Sequence, residues 1–351
     1  MVYDVFGNGK TAIKLSANHY NVSIGVGYQN VVNPVSIATN VVDWTDPNRD
    51  GIPQLSELGA GSGFNFGTTN QYVKGIKRPT SDEYSAGVQQ ELPFGVVLSA
   101  TYFHRDNWRN IERSNVAVPY DSGYTPVTVA IPPRPEVGFE GQTVTIYNIL
   151  PSLRSAISNV YQNRSDLGSH YNGVDINFNK RLSNRWMVMG GVSLSSFRNR
   201  KGLNLNDPNQ NAFLGTPVSG SVPKSFKLTG LYQLPFGISL SGNTQYFAGK
   251  PEPRTYTITR TLVPSLTNTS VSVPLAAFGD DHLPATKITD FAVRKELKVG
   301  EAARFAPTFE VFNIFNSGAT QSRITDLSQS FGQVTTVLRG RMIRAGFSVT
   351  Y

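Results

Sequence analysis

The sharpest local motif in the sequence is Asp46-Pro47-Asn48-Arg49-Asp50-Gly51-Ile52-Pro53-Gln54-Leu55-Ser56-Glu57. It fits the calcium-loop pattern D-x-[DN]-x-[DN]-G-x5-E at every required position. Asp46, Asn48 and Asp50 alternate, so their oxygens can converge on a hard cation. Gly51 permits a sharp turn, Ile52 offers its carbonyl, and Glu57 offers a bidentate carboxylate. Two features favour a plain acidic turn in a surface loop. No helices flank the run, and Pro53 lacks the N–H with which paired loops of this kind form a β-bridge. Both readings stand: a Ca2+ site at 46–57 that stiffens the loop, or an acidic turn. No other cofactor is expected.

Other chemistry is sparse. His19, His104, His170 and His282 are dispersed, with no HExxH or i,i+4 pair. Gly9-Lys10-Thr11 matches the end of a phosphate-binding loop, but Asp4 stands where the first glycine must be, and no helix follows. No Ser/His/Asp grouping suggests a nucleophile with its base, so no catalytic residues are assigned and the protein reads as a non-enzyme. With no cysteine, disulfide and thiol chemistry are excluded. The net charge of +8 comes from scattered lysines and arginines, not from a basic run, so nucleic acid is not an expected partner.

The elements that must carry these residues are strands. Only 16% of the 351 residues are charged, below the roughly 25% of an average soluble domain. No apolar run reaches the ~18 residues of a membrane helix. Segments of about ten residues instead alternate apolar and polar side chains. Tyr84, Ala86, Val88 and Leu92 interleave with Ser85, Gly87, Gln89 and Glu91; Trp186, Val188, Val192 and Leu194 interleave with Met187, Gly191, Ser193 and Ser195. Period-two alternation means strands with one apolar and one polar face. The pattern predicts eleven strands, at about 2–6, 11–20, 82–92, 96–109, 169–181, 185–198, 224–234, 237–247, 285–298, 303–313 and 339–351.

The connections decide the architecture. Short turns rich in Gly, Pro and Asn alternate strictly with long loops at about 21–80, 110–168, 199–222, 248–284 and 316–338. Loops of that length are uncommon in compact domains. Outer-membrane barrels have short periplasmic turns, long extracellular loops and strands of about ten residues. The fold class is therefore all-β: an antiparallel transmembrane β-barrel wall. Tyr102, Phe103, Trp186, Tyr246, Phe247, Phe312 and Phe315 gather near strand ends, as an interfacial girdle requires. Asp175, Asn177, Lys227, Gln233, Asn243, Asp290, Arg294 and Glu296 fall on the polar, lumen-facing phase.

The last strand runs to the final residue, with Ile343, Ala345, Phe347, Val349 and the terminal Tyr351 on its apolar phase. This resembles the signal read by the barrel-assembly machinery. Together with Asp82-Glu83-Tyr84-Ser85-Ala86-Gly87-Val88-Gln89 and Phe309-Glu310-Val311-Phe312-Asn313-Ile314-Phe315-Asn316, it resembles the C-terminal barrel of TonB-dependent receptors. The similarity is nearest to the Oar-like group, which carries a carboxypeptidase-regulatory-like N-terminal domain, and it covers essentially the whole chain.

The resemblance implies the C-terminal part, eleven strands, of a barrel of about 22, in the outer membrane of a Gram-negative bacterium. It implies uptake of a bulky nutrient such as an iron chelate, cobalamin or an oligosaccharide. The implied partners are outer-membrane lipid and lipopolysaccharide, the assembly machinery through the last strand, and TonB only through N-terminal parts. A signal peptide, plug and TonB-contact motif are not found in the sequence, so these parts are expected upstream. Two alternatives remain: a non-transporting adhesion or structural barrel, or a secreted carbohydrate-binding β-sandwich using Trp44 or Trp108 as stacking platforms.

Overall fold

The computed structural model describes residues 1–26, 41–59, 70–300 and 303–351. Alternating strands and tight turns give one antiparallel sheet in which every strand pairs with its sequence neighbour. The sheet comprises twelve strand segments. Thr286–Lys295 and Leu297–Val299 both pair with Ala303–Phe312 and are interrupted only at Glu296, so they form one wall strand and leave eleven. In order, the wall strands are β1 (Val2–Asp4), β2 (Thr11–Asn21), β3 (Thr80–Leu92), β4 (Val96–Trp108), β5 (Ser169–Ser183) and β6 (Trp186–Asn199). They continue with β7 (Lys224–Leu234), β8 (Ile238–Phe247), β9 (Thr286–Lys295, resuming at Leu297–Val299), β10 (Ala303–Phe312) and β11 (Met342–Thr350). The sheet is open, with β1 and β11 at its edges.

The number and order of the strands match the sequence reading, and the bounds shift by a few residues. The last strand is shorter than 339–351, and Tyr351 lies just beyond it. The first ends at Asp4, because the Asp4 carboxylate accepts the N–H groups of Phe6 (3.3 Å) and Gly9 (2.7 Å) and turns the chain early. Residues 301–302, in the short turn before β10, and residues 27–40 and 60–69 of the first long loop lie outside the described residues.

The register carries one face across the sheet. Val88 lies opposite Ala100, Ala100 opposite Ile176, Ile176 opposite Val192, and Val192 opposite Phe226. Phe226 then meets Tyr246; further along, Phe291 meets Val311, and Val311 meets Ile343. A one-residue slip in any pair would break this apolar face. The short turns hold the phase. At Pro93-Phe94-Gly95 and Pro235-Phe236-Gly237 the left-handed positions are taken by phenylalanine as well as glycine, with φ of 65° and 64° at the two Phe residues. Asn184-Arg185 makes a two-residue turn with φ positive at both, the hairpin geometry that matches strand twist.

All long connections emerge from the opposite rim. They hold secondary structure of their own, which the sequence reading treated as plain loop. Tyr124–Ile131 pairs with Gln142–Ile149, Thr255–Thr259 with Ser270–Pro274, and Thr320–Arg323 with Val334–Val337. Asn70–Tyr72 runs parallel to Asn159–Arg164, a local exception to the antiparallel wall. The β-sandwich alternative is overturned: the wall is one sheet, and among the described residues no second sheet packs on its apolar face.

Candidate functional site

The polar phase of the wall is built from paired groups. Arg105 bonds Glu83, Arg344 bonds Glu310, and Arg304 bonds Glu296 at 2.5 Å. Lys14 Nζ donates to Gln89 at 2.7 Å, and Thr229 to Asn243 at 3.1 Å. Asp290 accepts the Asn313 N–H at 2.8 Å, which fixes the turn leaving β10. The residues expected on the polar phase, Asp175, Asn177, Lys227, Gln233, Asn243, Asp290, Arg294 and Glu296, share it by register. The expected girdle divides. Tyr102, Trp186 and Tyr246 lie on the apolar face, but Phe103, Phe247 and Phe312 belong to the polar one. There Lys227 sits 5.5 Å from the Phe247 ring centre and Arg344 5.3 Å from that of Phe312. Proximity to a strand end does not fix the face; parity does.

The apolar phase of β11 places Ile343, Ala345, Phe347 and Val349 opposite Val311, Phe309, Pro307 and Phe305. Their outer sides are uncovered, with Phe347 72% exposed and Tyr351 99% exposed.

The run at 46–57 folds into a closed loop. Asp46 accepts the N–H groups of Asp50 (3.2 Å) and Gly51 (3.0 Å), and Asn48 Oδ1 accepts that of Asp50 (3.0 Å). Asp50 accepts the N–H of Ile52 (2.8 Å) and the amide of Gln54 (2.6 Å). These donors, the Ile52 N–H foremost, hold the Asp50 carboxyl below the usual carboxylate range. Glu57 is buried, at 8% exposure, and its Oε2 accepts Trp44 Nε1 at 3.1 Å. Carboxylate oxygens of Asp46, Asp50 and Glu57 all lie within 4.8 Å of one another. Ile52 contributes its N–H to Asp50. An isolated bridge joins Trp44 and Leu58, just outside the twelve residues. Trp44, the stacking candidate, is committed to Glu57, and Trp108 carries the Arg109 guanidinium 5.2 Å from its ring centre.

Two features escaped the sequence reading. Lys180 lies on the apolar phase beside Val96 and Val188, yet it is 1% exposed. Its Nζ donates to the carbonyls of Arg181 (3.2 Å), Ser183 (2.9 Å) and Trp186 (3.0 Å), and to Ser183 Oγ (2.9 Å). The Trp186 ring covers it at 3.9 Å. The charge thus sits on the carbonyls of its own hairpin, under an aromatic lid. The signal in the sequence was the lysine on an apolar phase with Trp six residues on.

The second feature is a cap on the long-loop rim. Val129, Ile131, Phe139 and Ile146 from one loop pack with Ile258, Val263, Leu266, Val273 and Leu275 from another and Leu327 from a third. Arg134 donates to the carbonyls of Leu327 and Ser328, and Asn148 to that of Ser265. At the side of the cap Arg164 bonds both Glu112 and Asp166, which lowers the Asp166 carboxyl, while burial raises that of Glu112 despite the same arginine.

A next-neighbour antiparallel wall, with one uncovered apolar face and all long loops on one rim, is the geometry of a bacterial membrane barrel. The outer membrane beta barrel domain family matches residues 1–250. The chain belongs to that family. Its place is the Gram-negative outer membrane, with the apolar face toward lipid and the polar face toward the lumen. No curated protein matches the sequence. Among solved structures, the chain is similar to the outer membrane transporter YddB from Escherichia coli, with a TM-score of 0.53, 12% identity, and coverage of 99% of this chain and 39% of that one. It is equally similar to a mutant of the ferric enterobactin receptor PfeA from Pseudomonas aeruginosa: TM-score 0.53, 12% identity, 99% of this chain and 39% of that. At this identity the likeness is one of fold. The chain spans about two fifths of the length of these structures. The family is one of membrane barrels, not enzymes.

Proposed function

We propose that the chain forms the C-terminal part, eleven strands, of the barrel of a TonB-dependent receptor of the Oar-like group, which imports a bulky nutrient. The supporting observation is the open eleven-strand sheet. Both edge strands carry unpaired N–H and C=O groups, each costing several kcal/mol in lipid, so further strands are required to close the wall. An eleven-strand wall is half of a 22-strand barrel, wide enough for a plugged lumen. Iron chelates, cobalamin and oligosaccharides remain the substrate classes. TonB and the plug belong to N-terminal parts, and lipopolysaccharide and the assembly machinery act on the wall, the latter through Ile343, Ala345, Phe347, Val349 and Tyr351.

The test is uptake by cells expressing the full receptor gene, measured with radiolabelled ferric siderophores, cobalamin and oligosaccharides, with and without TonB. Uptake that requires TonB supports transport. No uptake of any class, with surface binding retained, favours the adhesion barrel instead; the preformed cap is the observation behind that second reading.

The loop at 46–57 is proposed as a Ca2+ loop of millimolar affinity, the weak end of the extracellular range. Three carboxylates converge there, and among the described residues no cationic side chain is a hydrogen-bond donor to them. Its role is to stiffen the first long loop. Calorimetry with calcium chloride on the full protein should show heat that Asp50→Ala abolishes; no heat at millimolar calcium ends this reading.

A further inference from the structure

The lipid-facing side of the wall is not uniform. Between β6 and β9 the register sets Gly230 directly beside Gly242, with Val188 and Phe291 as their outer neighbours. Neither glycine has positive φ. A Cβ at either would meet only a backbone oxygen at 3.7 Å, ordinary contact, so the backbone does not require glycine at either position. Gly190 on the same face differs: the Phe178 ring fills its space, and a Cβ there would come within 2.7 Å of that ring. At Gly230 and Gly242 nothing fills the space. The result is an open groove of about 830 Å³, walled by Trp186, Tyr232 and Leu240 toward the short turns, by Phe291 beside Gly242, and by Leu228 and Phe315 toward the loops. Thr244 and Thr289, also in it, satisfy each other at 2.8 Å.

At the long-loop rim above this groove, Lys224 and Lys287 lie on the same face, flanking Tyr246. Both are exposed, and among the described residues neither makes an ion pair. On the same rim over β2–β5 charged groups pair: His19 meets Asp82 at 2.5 Å, and Asp106 meets His104 (3.1 Å) and Arg200 (2.8 Å).

We propose that this groove and its two lysines bind one phosphorylated glycolipid of the outer leaflet. An acyl chain lies over Gly230 and Gly242, and the headgroup phosphate sits on Lys224 and Lys287. Unpaired cations on the loop side of the apolar groove, beyond Phe226 and Tyr246, complement a lipid whose anionic head lies on that side. Lys295, on the same face at the opposite rim, would serve an inner-leaflet phospholipid instead. The site rests on the outer-membrane placement alone and stands whether or not the barrel transports.

The experiment is native mass spectrometry of the full receptor extracted gently from outer membranes, scoring retained lipopolysaccharide and phosphatidylethanolamine. A lysine near an anionic membrane surface contributes about a fivefold preference, so Lys224→Ala with Lys287→Ala should lower retained lipopolysaccharide on the order of thirtyfold. Gly230→Leu with Gly242→Leu should lower it comparably, and Lys295→Ala should leave it unchanged. Heat-modifiability establishes that each variant has assembled; where the leucine pair fails to assemble, the lysine pair decides. Unchanged retention in the lysine pair, equal loss in Lys295→Ala, or equal loss of phosphatidylethanolamine overturns the proposal.

Discussion

The wall and the cap treat the same residue types in opposite ways. On the wall, Ile343, Phe347 and Val349 stand with most of their surface uncovered. In the cap, Ile146 and Ile258 are 0% exposed, packed where three loops meet. The difference is the solvent. Lipid tails are as apolar as the side chains, so the wall gains nothing by hiding them and needs only its backbone groups paired. The cap stands in water, where burying apolar surface is the main driving force. One chain therefore contains a sheet whose apolar side faces out and a small globular core woven from its connections.

Breaking the cap should give the largest effect without breaking the wall. Ile146→Ala together with Ile258→Ala removes two fully buried side chains, each worth ~2–5 kcal/mol. The loops should become sensitive to external protease while the wall keeps its heat-modifiable migration. If both fail together, cap and wall are one cooperative unit and the contrast is wrong. The wall is tested by Val192→Arg against Ser193→Arg. Val192 continues the apolar face between Ile176 and Phe226, and Ser193 lies opposite Asp175 on the lumen side. The first should cost ~2–4 kcal/mol at mid-membrane depth and impair assembly; the second should not. Equal yields of assembled protein would refute the assignment of faces.

The wall was legible because a β-strand repeats every two residues, and parity alone assigns a face. Tyr84, Val174 and Phe226 could be placed without knowing what they touch. Phe103 and Phe247 went wrong where parity was set aside for position along the strand. The cap was not legible. Ile146, Ile258 and Leu327 are far apart in sequence, on short hairpins whose pairing depends on contacts between loops, and no local pattern encodes such contacts. The loop at 46–57 lay between: its residue spacing was readable, and so was the clustering of Asp46, Asp50 and Glu57. The pairing of Glu57 with Trp44 was not, since it needs the chain to close back on itself.

Lys180 sharpens the comparison at the rim where the two solvents meet. A charge on the apolar face is tolerated there because four acceptors surround its Nζ. Lys180→Met keeps the stem but leaves the carbonyls of Arg181, Ser183 and Trp186 without this donor, a loss of ~1–3 kcal/mol. Hydrogen exchange should quicken at the turn between β5 and β6 and nowhere in the cap. Unchanged exchange would mean that water replaces the ammonium and that the lysine is incidental.

The smallest effect belongs to the loop at 46–57, a third environment that has neither lipid nor a core to hold it. Its order rests on hydrogen bonds to carboxylates, so protons should undo it. The folded loop holds the Asp50 carboxyl below its ordinary value of 3.8, chiefly through the Ile52 N–H. A lowered carboxylate contributes stability that is fully present above the unfolded value and is lost as pH falls through the folded one. The loop should therefore be intact at neutral pH and loosen only below about pH 4. Trp44 reports this, since its indole N–H is held by Glu57. The fluorescence difference between the protein and its Trp44→Phe variant should be flat from neutral pH down to about pH 4 and change below that. Asp50→Asn should remove part of the low-pH change. With the proposed Ca2+ bound, the change should move to lower pH, because the ion competes with protons for the same oxygens. A transition centred near neutral pH, or one indifferent to Asp50→Asn, would show that the loop is ordered by something other than its carboxylates.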